Sequence, residues 1–358
     1  MIRVGLIGFG MAGRVFHAPL ISSVEGLELA AVLERTSNQA STRYPGITVC
    51  RSLAEMLADS SLDLLVVATP NATHYPIAKQ IIIAGRNVII DKPMTVTSLE
   101  AAELIVLARQ HNVLLVPFHN RRWDSDFLTV RKLLHEGSLG RLVSHESRID
   151  RWRPASPIEG LWKESPEAGG GTLLNLGPHL VDQGFFLFGK PEAVSADVRR
   201  EKDGPGVNDA FDIRLRYPRF EVRLGANSLS LPAGPRFHLR GTQGTYLKSG
   251  LDPQEAALNK ITRIDDSKWG QEKWGSEPAA DWGVLYIDIH GGSVSRPVPA
   301  VPGDYRVFYA GIRDALLGGS PPPVTGLDGW RVARLLEYAQ QSSDERREIP
   351  CDWSEEPQ

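Results

Sequence analysis

The chain opens MIRVGLIGFGMAG, in which Gly8, Gly10 and Gly13 form G-x-G-x-x-G directly behind a short apolar strand and directly before a helix-like stretch. The first glycine permits a tight turn, the second lets a pyrophosphate approach bare backbone, and the third lets helix and strand pack closely. A helix start then offers free N–H groups to phosphates. Gly8, Phe9, Gly10, Met11, Ala12 and Gly13 are therefore candidate cofactor-binding residues. The second strand, at residues 27–33, closes on Glu34, about 20 residues beyond the loop, where a carboxylate can grip an adenosine ribose. Arg35, Thr36 and Ser37 follow, and an Arg with two hydroxyls can instead hold a 2′-phosphate. Glu34 would repel that phosphate unless it turned away. The implied cofactor is NAD or NADP, and these residues leave the two open.

A chain of 358 residues is long for one core and suggests two domains. The expected boundaries are 1–120 for dinucleotide binding and 121–358 for substrate binding and oligomerisation, with C-terminal helices able to pack back on the first domain. A hydrophobic content of 42% and a net charge of −3 describe an ordinary globular chain without the basic field that nucleic acid or an anionic membrane would attract. Cys50 and Cys351 are the two cysteines, too few and too far apart for a disulfide framework or a metal cluster, so no metal is expected. No run of about 18 apolar residues is present, and the first strand begins at Ile2 with no room for a signal peptide. The expected location is cytoplasmic.

Residues 1–117 alternate strand and helix. Ser52 caps a helix reaching residue 59, residues 62–68 and 87–91 read as buried strands, and Thr97-x-x-Glu100 is a capping box opening a helix over 99–110. The alternation means a doubly wound parallel sheet, which binds ligands at the carboxyl ends of its strands. Beyond residue 142 the strands lengthen and alternate, at 194–202, 210–217, 220–231 and 237–241, which reads as a large mostly antiparallel sheet open on at least one face. The fold class is thus α/β, a Rossmann domain followed by a second α/β domain. Residues 305–317 and 327–342 read as closing helices, and 265–281 as a long loop.

Hydride exchange with an alcohol needs a base for the hydroxyl proton and a group to orient the oxygen. Asp91-Lys92-Pro93 stands at the carboxyl end of a parallel strand, where Lys92 can reach the crevice. The run Gly169-Gly170-Gly171-Thr172-Leu173-Leu174-Asn175-Leu176-Gly177-Pro178-His179-Leu180-Val181-Asp182 places His179 and Asp182 three apart, with Gly177-Pro178 reading as a helix start. An imidazole with an ordinary pKa of about 6.5 suits proton exchange. Asn120 and Arg121, at the ligand edge, can hold a polyol or the cofactor, whereas Arg122 fits an inter-domain junction. Trp123, Trp152 and Trp162 fit either a sugar face or interface packing. His119 and His145 read as structural.

Gly8-Phe9-Gly10, Thr69-Pro70-Asn71-Ala72-Thr73-His74, Asp91-Lys92-Pro93 and Gly171-x5-Gly177-Pro178-His179-x-x-Asp182 resemble the Gfo/Idh/MocA oxidoreductase family over nearly the whole chain. Phe16-His17-Ala18-Pro19-Leu20, residues 119–129 and Gly250-Leu251-Asp252-Pro253-Gln254-Glu255 resemble, within it, a bacterial subgroup containing an NADP-dependent scyllo-inositol dehydrogenase. The resemblance implies that Lys92 contacts nicotinamide ribose and substrate, with a cis peptide before Pro93. It implies that His179 is the acid/base, that Asp182 binds substrate hydroxyls, and that Thr69, Pro70, Asn71 and His74 line the cofactor edge. It also implies assembly as a homodimer or homotetramer through the C-terminal sheet. Trp162-Lys163 stands where many relatives have Trp-Arg, which leaves a cation near the cofactor.

Family members usually carry Asp where this chain has Asn175. The amide can accept a hydrogen bond from the imidazole but carries no charge to stabilise an imidazolium, so His179 should be a weaker base than in relatives. The expected activity is NAD(P)-dependent hydride transfer at a secondary alcohol or ketone of a cyclitol or sugar, a small polyhydroxylated substrate suited to Asn175, Asp182, Asn120 and Arg121. The alternatives are a non-catalytic dinucleotide- or sugar-sensing regulator, which the loss of the carboxylate at 175 favours, and an aldose or dihydrodiol dehydrogenase.

Overall fold

Near-continuous runs of Val, Ile and Leu build the first sheet, as expected for parallel strands covered on both faces. In the computed structural model, which describes residues 1–155, 162–261, 274–289 and 291–357, the strands are β1 (Ile2–Ile7), β2 (Leu27–Leu33), β3 (Thr48–Cys50), β4 (Leu64–Val67), β5 (Asn87–Ile90) and β6 (Leu115–Pro117). Their order is β3-β2-β1-β4-β5-β6, every pair parallel. The order reverses between β1 and β4, so a crevice opens beside the glycine loop. The local signals hold: Ser52 Oγ accepts the Glu55 N–H at 3.2 Å, and Thr97 and Glu100 form the reciprocal capping box.

Two apolar layers cover this sheet. On one face Leu6, Val66 and Ile89 pack with Leu20, Ile21, Phe308 and Ile312. On the other, Leu65, Val67 and Val88 pack with Ile81, Leu104 and Trp330. The helices Arg306–Leu316 and Gly326–Glu345, late in the chain, thus return to the first sheet from opposite sides.

The second sheet contains β7 (Leu142–Arg148), β8 (Ala193–Arg199), β9 (Ala210–Arg216), β10 (Glu221–Ala226), β11 (Phe237–Gly241), β12 (Gly244–Lys248), β13 (Gly283–Ile289), β14 (Gly292–Val298) and β15 (Ile349–Pro350). The order is β14-β13-β12-β11-β7-β10-β9-β8-β15, antiparallel except for the parallel pair β7–β10. Val222, His145 and Leu239 stand in register across three strands and are all buried, facing the core beneath the helices Ser125–His135 and Thr172–Phe188. The alternate positions Arg214, Arg216, Arg223 and Arg240 are exposed, so the opposite face is open. Of the loop expected over 265–281, residues 265–273 lie outside the described residues. Among the described residues no helix is long and apolar enough to cross a membrane.

One local expectation fails. Pro178 does not start a helix; it lies inside the helix Thr172–Phe188, whose N-cap is Gly171 at φ 105°. The glycines before it explain the early start. A side chain at Gly170 would sit 2.4 Å from the Lys163 carbonyl oxygen, and the Gly171 N–H donates to that same oxygen at 2.9 Å. Pro178 offers no N–H to the Leu174 carbonyl, which loosens the turn around residue 175.

Candidate active site

The glycine loop has the packing its spacing implies. Gly8 sits at φ 97°, and a Cβ there would lie 2.5 Å from the Ala68 carbonyl oxygen. A Cβ on Gly13 would lie 2.1 Å from the Gly8 carbonyl oxygen, whereas at Gly10 it would meet no atom within 4 Å. Two glycines are therefore fixed by backbone contact and the third leaves bare backbone facing open space, which fits a dinucleotide pyrophosphate. The chain turns helical at residue 11, passes through a π-helical turn, Gly13–His17, and continues as Ala18–Ser23.

A cavity of about 1050 Å³ runs from this loop along the strand ends to the second sheet. Gly8, Phe9, Gly10, Met11 and Ala12 line its near end, and Thr69, Pro70, Asn71 and Asp91 line its middle. Gly13, His74, Pro93 and Asp182, expected in the site, do not line it. Gly13 is spent on the contact with Gly8. His74 is fully buried, with Nδ1 2.8 Å from the Pro93 carbonyl oxygen and Nε2 2.8 Å from that of Thr69, so it braces two lining loops from behind. Pro93 is buried after a cis Lys92–Pro93 peptide.

Asp182 corrects the reading most. Its two oxygens accept from Arg122 Nε at 2.9 Å and Nη2 at 2.6 Å, and its side chain is 2% exposed. One turn beyond His179, the carboxylate points into the domain junction rather than toward substrate. Arg122 also donates to the Pro323 carbonyl at 3.2 Å, in keeping with its junction role.

At the adenosine end Glu34 has turned away. Its Oε2 accepts the Ala40 N–H at 2.8 Å and its Oε1 accepts the Ser37 hydroxyl. With the carboxylate occupied inward and 5% exposed, the expected ribose grip is weakened. Arg35 and Thr36 stay exposed on the cavity wall, and Arg35 makes no ion pair among the described residues. Arg51, not anticipated from the sequence, joins them and is anchored through the Glu34 and Ser37 carbonyls at 2.7 and 2.5 Å.

Lys92 and His179 meet in the cavity, 87 positions apart in the chain. Lys92 Nζ donates to the Asn175 carbonyl oxygen at 2.7 Å and to Asn175 Oδ1 at 3.1 Å. The amide thus serves Lys92 rather than the imidazole, contrary to expectation, and the backbone carbonyl of the same residue also accepts from the ammonium. Deep in the cleft, loss of hydration pushes the Lys92 pKa down to about 8, against the opposing pull of Asp91. His179 falls well below its ordinary range, first because it is buried and then because Lys92 and Arg121 face it. Nδ1 of His179 has no hydrogen-bond partner among the described residues. The imidazole is a weak base here, as expected, but burial and nearby cations cause this more directly than the missing carboxylate.

Asn120 and Arg121 also line the cavity. Arg121 is already held by Asp124 at 3.1 Å and Glu255 at 2.5 Å, which limits it to shaping the wall. Trp162 lines the cavity with Lys163, while Trp123 packs on Phe308 in the core. His145 sits between Phe188 and Phe237, as a structural residue would. Sequence reasoning missed Arg51, Arg151, Arg153, Lys202 and Glu255 as lining residues. The run of arginines at 148, 151 and 153 was the available signal for two of them.

A glycine-built phosphate cradle at a strand-order reversal, with an amine and an imidazole converging at its far end, defines a nicotinamide-dinucleotide-dependent dehydrogenase. The family model for the N-terminal domain, described as "Oxidoreductase family, NAD-binding Rossmann fold", matches residues 2–119, and that for the C-terminal alpha/beta domain matches 131–351. The chain belongs to the Gfo/Idh/MocA oxidoreductase family, and its cofactor is NAD or NADP. It is 39% identical over 345 residues to the oxidoreductase YdgJ of Escherichia coli (strain K12), covering 96% of this chain and 97% of the relative. It is 33% identical over 348 residues to the scyllo-inositol 2-dehydrogenase (NADP(+)) IolW of Bacillus subtilis (strain 168), covering 97% and 95%. Among solved structures, the oxidoreductase YPO2259 of Yersinia pestis superposes with a TM-score of 0.91 at 39% identity, covering 98% of this chain and 97% of that one.

Proposed function

We propose that this chain is an NADP-linked dehydrogenase acting on a secondary alcohol, or the matching ketone, of a cyclitol or sugar. The observation that carries the reading is the convergence of Lys92, Asn175 and His179 in the same cavity as the glycine loop. The glycine loop would hold the dinucleotide, which would supply the hydride acceptor for the carbinol carbon or the hydride donor for the ketone. The Lys92 ammonium, held by two Asn175 oxygens, donates a hydrogen bond to the substrate oxygen and orients it. His179, neutral because its pKa is depressed, accepts the hydroxyl proton during oxidation and returns one during reduction. Asn120 offers an amide to further hydroxyls. Assembly through the second sheet, implied by the resemblance, draws support from that sheet's uncovered face.

The inward turn of Glu34 supports NADP over NAD, because it leaves Arg35 and Thr36 facing the cleft without a competing carboxylate. IolW, named as NADP-dependent, points the same way. Arg35→Ala should weaken NADP binding by roughly tenfold while leaving NAD affinity unchanged, and the difference should shrink as salt rises. Fluorescence titrations of NADPH and NADH at two ionic strengths check this; equal loss for both would assign Arg35 to folding. Turnover itself is tested by absorbance of reduced cofactor over a panel of cyclitols, aldoses and uronates. Cofactor binding with no turnover on any of them would contradict the reading.

Because Lys92 acts as a cation, kcat/KM for oxidation should fall as pH rises through about 8. Asn175→Asp puts a carboxylate where Oδ1 now lies 3.1 Å from Nζ, which favours the ammonium and should move that limb upward by roughly one unit or more. Rate profiles of both proteins decide it: a rate that climbs through pH 8 would make Lys92 the base instead.

A further inference from the structure

The substrate end of the cavity is more basic than a neutral polyol requires. Arg151 and Arg153 leave β7 and are pinned by backbone, with the Arg151 N–H donating to the Asn227 carbonyl at 3.0 Å and the Arg153 N–H to that of Ser228 at 2.7 Å. Both line the cavity with Lys163, Lys92 and His179. Among the described residues, the Arg151 and Arg153 guanidiniums have no hydrogen bond or ion pair, and Lys163 has only the face of Trp162, 5.6 Å away. Arg153 is exposed whereas Arg151 is half-buried, and several other guanidiniums held out of water are paired with carboxylates. Arg148, three positions earlier, is held by Asp150 and Asp212; Arg122 is held by Asp182; Arg236 is held by Asp126. Glu255 acts on Arg151 and Lys163 and Asp91 on Lys163, and Glu255 is already committed to Arg121; Glu164 and Asp209 also line the cavity, Asp209 accepting the Glu201 and Lys202 N–H groups. Burial, then the mutual presence of Arg153 and Arg121, depresses the Arg151 pKa.

We propose that the substrate is an anionic polyol, bearing a carboxylate or a phosphate that Arg151 binds together with Arg153 and Lys163 while its carbinol carbon lies at Lys92 and His179. The proposal rests on the hydride-transfer reading of the same cleft. A guanidinium drawn out of water needs a compensating anion, and its planar fork matches carboxylate and phosphate oxygens, which a neutral hydroxyl matches poorly. Arg151 and Arg153 follow β7 of the second sheet and Lys163 lies in the turn Trp162–Glu164, so all three come from outside the glycine loop that cradles the dinucleotide's phosphates.

The test uses full-length protein saturated with NADP⁺, so that the cofactor's own phosphates occupy their sites. Tryptophan fluorescence then follows titration with myo-inositol, glucuronate and glucose 6-phosphate. At least one anionic probe should bind roughly tenfold or more tighter than myo-inositol, Arg151→Ala should erase that margin, and Arg151→Lys should keep part of it. Preference for glucuronate assigns a carboxylate, and preference for glucose 6-phosphate a phosphate. NADP⁺ affinity and thermal midpoint should stay close to wild type in both variants. Equal binding of neutral and anionic probes, an anion margin that survives Arg151→Ala, or a parallel loss of NADP⁺ affinity would each overturn the proposal. If the wild type loads neither NADP⁺ nor NAD⁺, the hydride-transfer reading falls, and the same probe comparison on the bare protein still decides this one.

Discussion

Lys92→Ala should lower kcat by roughly 10³-fold while leaving the NADPH dissociation constant within about threefold of wild type. Two physical facts set that expectation. Lys92 stands at the far end of the cavity from the pyrophosphate cradle, so the dinucleotide keeps its main contacts. Among the described residues its ammonium has only the two Asn175 oxygens as hydrogen-bond partners, at 2.7 and 3.1 Å, which leaves a proton to point at substrate. Alanine removes that donor without disturbing a core contact. His179→Ala should reduce kcat by roughly 10²- to 10⁴-fold through loss of the proton acceptor. Steady-state rates with parallel NADPH titrations check both; turnover within about tenfold of wild type in either variant would remove that side chain from the chemistry.

The second large effect concerns stability. Arg122→Ala should destabilise the fold by about 3–5 kcal/mol, the range for stripping one partner from a buried ion pair. The Arg122 and Asp182 side chains are 7% and 2% exposed and meet in a fork. Loss of the guanidinium would leave a carboxylate inside the protein with His119 Nε2, 4.0 Å away and itself depressed by burial, as its nearest substitute partner. The pair also joins the turn after β6 to the helix that carries His179, so the damage should include a lower kcat. Urea unfolding measures the loss. The double variant Arg122→Met, Asp182→Leu should recover part of it, because the buried Asp182 charge is removed with its partner while Asp328, 3.5 Å from Arg122, still loses its guanidinium. Asp182→Asn separates positioning from substrate contact: stability should fall while KM stays near wild type. A raised KM in a protein of unchanged stability would return Asp182 to the substrate site.

What could be read beforehand divides by the range of the interaction. The glycine loop, the Ser52 cap, the Thr97–Glu100 capping box and the parallel strands are local patterns, and each held. The placement of Lys92 and His179 at the cavity was legible because a strand end and a glycine-flanked helix announce themselves within a few residues. Asp182 misled because a three-residue spacing shares a helical face but not a neighbour; one turn farther along, that face meets Arg122. Pro178 misled for a related reason. Proline favours a helix start, but the close approach of Lys163 to Gly170 and Gly171 sets the start earlier. Glu34 turned inward because Ser37 and the Ala40 N–H fold back on it, a choice between two partners that a strand-end acid does not reveal. Arg151, Arg153 and Lys163 stand close together in the sequence, but their gathering on one cavity depends on how the chain after β7 and the turn Trp162–Glu164 pack, which spacing alone does not reveal.

The central claim is that the dinucleotide lies along the glycine loop and delivers its reactive ring to Lys92 and His179. A crystal structure of the NADP⁺ complex tests it most directly. The account predicts the pyrophosphate over Gly10, the 2′-phosphate at Arg35, and the nicotinamide C4 facing the space between Lys92 Nζ and the His179 ring. A nicotinamide placed elsewhere, with Lys92 and His179 apart from it, would contradict the account.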